Sequence, residues 1–205
     1  MRSVVVYLLY VKIKNHNGVV CMKLIEETVD SQIVFRGKII TVRLDTAKLE
    51  NGKTASREVV EHPGGVCILP MEDDGTVYTV RQFRYPFGRV TEELPAGKLD
   101  GPEDHRLAAL RELSEEIGAE PEELVYLGYL MASPGFSSEV LHMYLARGLR
   151  HGEQHPDEDE FLEVERTPFS ILVERVMAGE LTDAKTVAAV LKTKEYLSRE
   201  AGGTK

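Results

Sequence analysis

The sequence predicts an α+β sandwich in which short β-strands pack with three helices. Segments rich in β-branched and aliphatic residues alternate with strong turn signals, Asn51-Gly52 and Asp73-Asp74-Gly75. Three other segments, at 102–117, 168–177 and 183–197, combine helical periodicity with suitable cap residues. Strands mixed with three helices in one chain indicate layers that share a core.

The strand segments are short and most are bounded by turn residues. The two turns above predict two hairpins, one near the N-terminus and one in the core of the sheet. A loop at 133–138 with the sequence Ser-Pro-Gly-Phe-Ser-Ser separates two later strands. The predicted strands are 39–44, 56–61, 66–71, 77–83, 124–131, 140–146 and 161–164.

Composition and charge narrow the possible functions. The chain has 34 acidic and 25 basic residues and a net charge of −9, which disfavours nucleic acid and membranes as partners because both require a basic face. The two cysteines are far apart and have no flanking histidines, so they predict neither a disulfide framework nor a zinc site. We therefore expect a protein of the reducing cytoplasm.

The N-terminal apolar run at 4–11 is too short for a membrane helix, which needs roughly 18 residues. As a signal peptide it would have Arg2 before the run but no convincing small-residue cleavage site after it. We interpret residues 1–21 as an N-terminal extension, either non-native or disordered, and expect the working domain to start near Met22.

The helix at 102–117 carries an unusual acidic face. We expect Asp100 or Gly101 to cap it and Gly118 to end it in the left-handed conformation. At about 100° per residue, its leucines and Ile117 lie on one side, which we expect to be buried, and three glutamates lie on the other, solvent side. The three are Glu112, Glu115 and Glu116.

Like charges so close together repel one another. A divalent cation such as Mg²⁺ would offset that repulsion and would also bind a substrate phosphate. The residue types alone leave open whether this face binds metal or only keeps the helix hydrated.

Eight residues of this region have a characteristic spacing: Gly97, Glu103, Arg111, Glu112, Leu113, Glu115, Glu116 and Gly118. They match the pattern of the Nudix box, Gly-x5-Glu-x7-Arg-Glu-(aliphatic)-x-Glu-Glu-x-Gly-(aliphatic). The ninth specified position, the final aliphatic one, is Ala119 here, a smaller residue than the pattern prefers. The sequence therefore resembles the Nudix hydrolases. Further segments, at 57–58, 81–85, 93–98 and 133–139, resemble the ADP-ribose pyrophosphatase branch, in which a proline lies about fifteen residues beyond the box, as Pro134 does here.

The resemblance implies roles for the acidic residues. Glu112 and Glu116 correspond to the principal Mg²⁺ ligands, Glu115 to a third or water-mediated ligand, and the carbonyl of Ala96 to a backbone ligand. Mn²⁺ is the alternative metal. Glu139, after the 133–138 loop, resembles the general base that activates water, although it could instead begin a strand or support a metal indirectly.

Other matching positions are implied to be structural or to contact substrate. Glu103 and Arg111 resemble a structural ion pair, and the helical projection places Glu103 away from the three glutamates. Gly97 and Gly118 are structural. Arg81 resembles a phosphate contact, and the adenine end would meet Phe35, Arg57 and Glu58. As alternatives, Arg57 and Arg81 could be strand-surface residues and Phe35 a core residue.

The implied fold is a Nudix-type α/β/α sandwich with a mixed β-sheet, plus a small N-terminal antiparallel β segment. We expect residues 22–61 to form that segment and to mediate a homodimer, and residues 62–205 to form the hydrolase domain. The implied reaction is metal-dependent hydrolysis of ADP-ribose to AMP and ribose 5-phosphate. Alternatives are another small nucleoside-diphosphate compound, such as a nucleotide sugar, NADH or flavin dinucleotide, or a non-catalytic ADP-ribose sensor.

Overall fold

The computed structural model describes residues 11–15, 18–22, 24–155 and 161–203. Of the apolar run at 4–11, only Val11 lies among them. The chain divides after His62 into two compact units. In the described part of the chain, no helix is long and apolar enough to cross a membrane.

The first unit is entirely β-structure. Its first two strands form an antiparallel pair, and the next three form an antiparallel sheet in the order β3-β4-β5. Strands β4 and β5 confirm the hairpin predicted around Asn51-Gly52, where Gly52 adopts the positive φ of 79° that favours glycine. The strands are β1 (Val11–Asn15), β2 (Gly18–Met22), β3 (Glu27–Arg36), β4 (Thr41–Lys48) and β5 (Thr54–Glu61).

The second unit contains a mixed seven-stranded sheet. The order is β10-β11-β6-β7-β12, with β8 paired to β7 and β9 paired to β6. Strand β11 runs parallel to β6, and the other pairs are antiparallel. The strands are β6 (Gly65–Met71), β7 (Thr76–Arg84), β8 (Arg89–Glu93), β9 (Ala96–Lys98), β10 (Ala119–Met131), β11 (Val140–His151) and β12 (Leu162–Pro168).

In the part of the chain that the structure describes, three α-helices cover the two faces of this sheet. They are α1 (His105–Ile117), α2 (Phe169–Met177) and α3 (Ala184–Gly202). Strand β6 is buried throughout. Its Cys67, Leu69 and Met71 share one core cluster with α2 and α3, whereas Val66 and Ile68 share a second cluster with α1. This alternation confirms the expected α/β/α sandwich.

Helix α1 begins later than the sequence predicts. Its cap is Asp104, whose side chain accepts hydrogen bonds from the backbone N–H groups of Arg106 (2.8 Å) and Leu107 (3.3 Å). The predicted caps Asp100 and Gly101 are therefore wrong. Gly118 ends the helix with φ 63°, as predicted.

The buried face of α1 also differs from the prediction. Leu113 and Ile117 are buried, but Leu107 is 61% exposed. Ala108 and Ala109 are fully buried and let the helix approach the sheet closely, which turns the buried face toward two of the glutamates. The prediction of a solvent-side carboxylate face is wrong for Glu112 and Glu116.

Candidate active site

The short strand β9 lies directly beside the glutamates of α1. The backbone N–H of Ala96 donates to Glu116 Oε2 over 3.3 Å. A Cβ built on Gly97 would lie 1.8 Å from Glu112 Oε1, so only glycine leaves room for that carboxylate. Glu112 and Glu116 are only 6% and 2% exposed. The structure thus brings Ala96, Gly97 and the two principal candidate ligands together.

Arg111 connects the remaining acidic residues of the box. Its Nε and Nη2 donate to the two carboxylate oxygens of Glu103, over 3.2 and 3.1 Å. Its Nη1 donates to Glu112 Oε1 (2.8 Å) and to Glu115 Oε2 (2.9 Å). The helical projection had separated Glu103 from the three glutamates. That separation is wrong, because Glu103 lies before the helix and shares Arg111 with two of them.

This arrangement changes the electrostatics of the ion pair. The hydrogen bond from Arg111, followed by one from the backbone N–H of Asp100, holds the pKa of Glu103 below its usual value. The same contact with Glu103 raises the pKa of Arg111. One guanidinium, with a single positive charge, is therefore shared by the carboxylates of Glu103, Glu112 and Glu115.

The donor set is suited to a hard divalent cation. Oxygen atoms of carboxylates and backbone carbonyls are the ligands that Mg²⁺ prefers. The Glu112 carboxylate occupies the space that a Cβ at Gly97 would need, so it lies directly against the backbone of β9. Within the described ranges, no three His, Cys, Asp or Glu side chains are gathered as a metal-binding group. The residues fit a divalent ion by the chemistry of their oxygen atoms. In this structure the guanidinium of Arg111 contacts Glu112 and Glu115.

The strand register places Glu139 at the same end of the sheet as Lys98, the last residue of β9. On β6, Gly65 pairs with Leu141 of β11 on one side and with Lys98 of β9 on the other. Glu139 comes two residues before Leu141, and its backbone N–H donates to Ser137 Oγ over 3.2 Å. Its side chain is half-buried. Glu139 therefore reaches this end of the sheet from the loop before β11, whereas the other glutamates belong to α1.

Arg81 lies on β7 and faces the edge strand β12. Its guanidinium contacts Glu163 at 3.0 Å and Glu165 at 3.7 Å, and both partners are exposed. These ion pairs are weak and easily exchanged for a ligand, because exposed pairs contribute at most about 1 kcal/mol.

The three candidate adenine contacts lie in the first unit. Phe35, on β3, is 55% exposed, so the alternative that it is a core residue is wrong. Arg57, on β5, forms a two-point ion pair with Glu26, with N–O distances of 2.8 and 2.6 Å. Glu58 is the next residue along β5 and is exposed.

Sequence reasoning missed a buried charged cluster beside β9. Glu93, the last residue of β8, contacts both Arg84 and Lys185. Burial alone would raise the pKa of Glu93, but the hydrogen bond from Arg84 and the charge of Lys185 lower it to about 2. Neither local sequence signals this pair, because Glu93 and Lys185 lie 92 residues apart in the chain.

Comparison with known proteins agrees with this geometry. The NUDIX domain model matches residues 61–190, and the nucleoside diphosphate sugar hydrolase N-terminal domain matches residues 26–60. An ADP-ribose pyrophosphatase of Bacillus subtilis is 40% identical over 184 residues, which are 87% of this chain and 100% of the relative. One of Mycobacterium tuberculosis is 38% identical over 169 residues, 80% of this chain and 81% of the relative.

Two further similarities bear on the range of related proteins. A methanol dehydrogenase activator of Bacillus methanolicus is 38% identical over 167 residues, 80% of this chain and 90% of the relative. The crystal structure of an ADP compounds hydrolase superposes with a TM-score of 0.76 over 85% of this chain and 95% of that chain. At 24% identity, that structure supports the fold alone. With one domain model matching more than half of its length, the chain belongs to the Nudix hydrolase family.

Proposed function

We propose that this protein hydrolyses the diphosphate of ADP-ribose to AMP and ribose 5-phosphate. The observation that carries the proposal is the close approach of Ala96 and Gly97 to the buried carboxylates of Glu112 and Glu116. The names of the relatives from Bacillus subtilis and Mycobacterium tuberculosis support ADP-ribose as the substrate.

Nudix hydrolases generally need a divalent metal, and we propose Mg²⁺ here, with Mn²⁺ as a substitute. Glu112, Glu116 and the carbonyl of Ala96 would hold it, and Glu115 would bind directly or through water. When bound, the ion neutralises diphosphate charge, aligns the phosphorus and acidifies the attacking water. In this proposal Arg111 gives up its bonds to Glu112 and Glu115 and retains its two-point bond to Glu103.

The other residues orient the substrate and move the proton. Glu139 takes the proton from the attacking water. Its half-buried position at this end of the sheet allows that role. Arg81 exchanges its exposed partners Glu163 and Glu165 for a substrate phosphate. Phe35 offers an exposed ring for stacking on adenine, with Arg57 and Glu58 as polar contacts.

The alternative substrate is another nucleoside-diphosphate sugar. It is favoured by the match of residues 26–60 to the nucleoside diphosphate sugar hydrolase N-terminal domain. GDP-mannose pyrophosphatases are also among the relatives, at 32–34% identity. The box residues set the reaction rather than the leaving group, so substrates must be compared directly.

We also propose a cytoplasmic homodimer in which the first unit mediates assembly. All ten residues of β3 are exposed in the single chain, including Val29, Ile33, Val34 and Phe35. Apolar exposure of this kind is typical of a surface that another subunit covers. Light scattering at micromolar concentration should give twice the 23.0 kDa chain mass.

The test of the proposed reaction is a substrate panel. ADP-ribose, GDP-mannose, NADH and flavin dinucleotide are compared by kcat/KM in Mg²⁺, with products identified by chromatography. AMP and ribose 5-phosphate from ADP-ribose, at the highest kcat/KM of the panel, are expected. Binding of ADP-ribose without turnover would instead indicate a sensor.

A further inference from the structure

A buried ion pair connects α3 to the strand that precedes β9. Lys185, in the first turn of α3, donates from Nζ to Glu93 Oε2 and lies 3.0 Å from Asp183 Oδ2. Glu93 is 3% exposed and Lys185 is 9% exposed. A buried charge without a partner is strongly destabilising, so these two groups constrain each other's position.

The carboxylate of Glu93 also accepts hydrogen bonds from two residues other than Lys185. Arg84 donates to both carboxylate oxygens, from Nε over 2.8 Å and from Nη2 over 2.6 Å. The hydroxyl of Thr91 donates to Glu93 Oε1 over 2.6 Å. With Lys185, these donors fix the carboxylate in one orientation, because its lone pairs are satisfied from several directions.

A second link joins α3 to the next residue of the chain. The backbone N–H of Leu94 donates to Thr186 Oγ1 over 2.9 Å, and that hydroxyl donates to Asp183 Oδ2 over 2.6 Å. Asp183 also caps α3 by accepting the backbone N–H of Thr186 over 3.0 Å. The first turn of α3 therefore holds both the side chain of Glu93 and the backbone of Leu94.

Only Leu94 and Pro95 separate Glu93 from the candidate metal site. Leu94 is fully buried, and the carbonyl of Pro95 accepts the backbone N–H of Ile68 over 2.8 Å. Ala96 and Gly97 then meet the two buried glutamates of α1. A segment this short and this tightly held transmits a displacement at Glu93 to the backbone of Ala96.

We propose that Lys185 is a positioning residue for the metal site: by anchoring Glu93, it holds the Ala96 carbonyl and Gly97 in register with the carboxylates of Glu112 and Glu116. This role rests on the proposed function, in which those groups bind the divalent ion. Lys185 itself does not contact substrate or metal. It comes from a helix that lies on the opposite face of the sheet from α1.

The test compares metal binding among variants without substrate. Free Mn²⁺ is measured by electron paramagnetic resonance while it is titrated into wild type, Lys185→Met, Lys185→Arg and a control. The control is Arg175→Met, which removes a two-point ion pair (2.9 and 2.7 Å) to Glu92, the neighbour of Glu93. This pair is less buried than the single Lys185–Glu93 contact. Thermal unfolding of each variant reports stability separately from metal affinity.

We expect Lys185→Met to weaken Mn²⁺ binding at least tenfold, Lys185→Arg to restore it to within about threefold, and Arg175→Met to leave it within twofold of wild type. Wild-type affinity in Lys185→Met, or equal weakening in Arg175→Met, would overturn the proposal. Should Lys185→Met not fold, Lys185→Met combined with Glu93→Gln removes both charges of the pair and carries the same expectation.

Turnover distinguishes this inference from the proposed function. Wild type that binds Mn²⁺ but does not hydrolyse ADP-ribose would refute the proposed substrate, and the Mn²⁺ affinities would still decide the role of Lys185. Equal Mn²⁺ affinity in wild type and Glu116→Gln would refute the metal site and the positioning role with it.

Discussion

Substituting Gly97 by alanine should disable the enzyme through a single added methyl group. The new Cβ would lie 1.8 Å from Glu112 Oε1, 1.9 Å from its Cδ and 2.3 Å from Oε2. The carboxylate must therefore retreat by about 1.5 Å to reach an ordinary contact distance. Glu112 is 6% exposed and bonded to Arg111 over 2.8 Å, so it has little space into which it can move.

Two measurable effects follow from that displacement. Loss of the charge-assisted bond to Arg111 should lower the free energy of unfolding by about 1.5–3 kcal/mol. A misplacement of about 1 Å at a catalytic constellation costs about 10² in rate, so kcat should fall by at least that factor. Denaturant unfolding and steady-state hydrolysis of ADP-ribose in saturating Mg²⁺ measure the two effects independently.

A control and a compensating variant sharpen this test. Gly152→Ala places its Cβ 3.7 Å from the nearest atom, an ordinary contact, and should change neither quantity appreciably. Glu112→Asp withdraws the carboxylate by about 1.5 Å. Combined with Gly97→Ala it should destabilise the fold less than the two single changes summed, while turnover stays low. Wild-type stability and turnover in Gly97→Ala would show that Glu112 does not lie against this strand.

Four further predictions concern other parts of the molecule. Glu112→Gln and Glu116→Gln should each lower kcat at least about 10²-fold. Circular dichroism should be unchanged, because the amide preserves the shape and one acceptor oxygen of the carboxylate. Normal turnover in either variant would remove that residue from the site. Glu139→Gln should lower kcat about 10²–10⁴-fold with calorimetric Mg²⁺ affinity unchanged; a loss explained by weaker Mg²⁺ binding would make it a ligand. The pKa of Glu93 is lowered from 4.5 to about 2, so its ionised carboxylate contributes on the order of 3 kcal/mol to the free energy of unfolding. This contribution is complete above pH 4.5 and is lost as the pH falls toward 2. The free energy of unfolding of Glu93→Gln, measured against pH, should lack that loss. Deleting residues 1–21 should keep kcat/KM within about threefold, and a hundredfold decrease would show that the extension supports the domain.

The layers of the fold could be predicted because they depend on local signals. Turn sequences located the β4–β5 hairpin, and Gly118 marked a helix end that the structure confirms. The start of α1 was misplaced because three residues near it, Asp100, Gly101 and Asp104, are all capable caps. The choice among them depends on where the helix meets the sheet, which is tertiary information.

The charged cluster at Lys185 could not be predicted for a similar reason. Its partner Glu93 is 92 residues away in the chain, and each residue alone is typical of an exposed surface. Only the packing of α3 against the end of β8 removes both from water. Nothing in the local sequence of either element distinguishes this pair from the exposed pair of Arg199 with Glu195 on the same helix.

The orientation of α1 shows how packing turns a sequence motif into a site. The projection weighted the large leucines, yet Ala108 and Ala109 determine the buried face because their small side chains allow the closest approach to the sheet. That approach carries Glu112 and Glu116 out of water. Buried carboxylates need a compensating charge, which Arg111 supplies to Glu112 in this structure and a divalent ion would supply in the working enzyme. Replacing Ala109 by leucine should therefore push α1 outward and weaken Mn²⁺ binding, even though it makes the helix more apolar; unchanged Mn²⁺ affinity would show that the close approach is not what buries the glutamates.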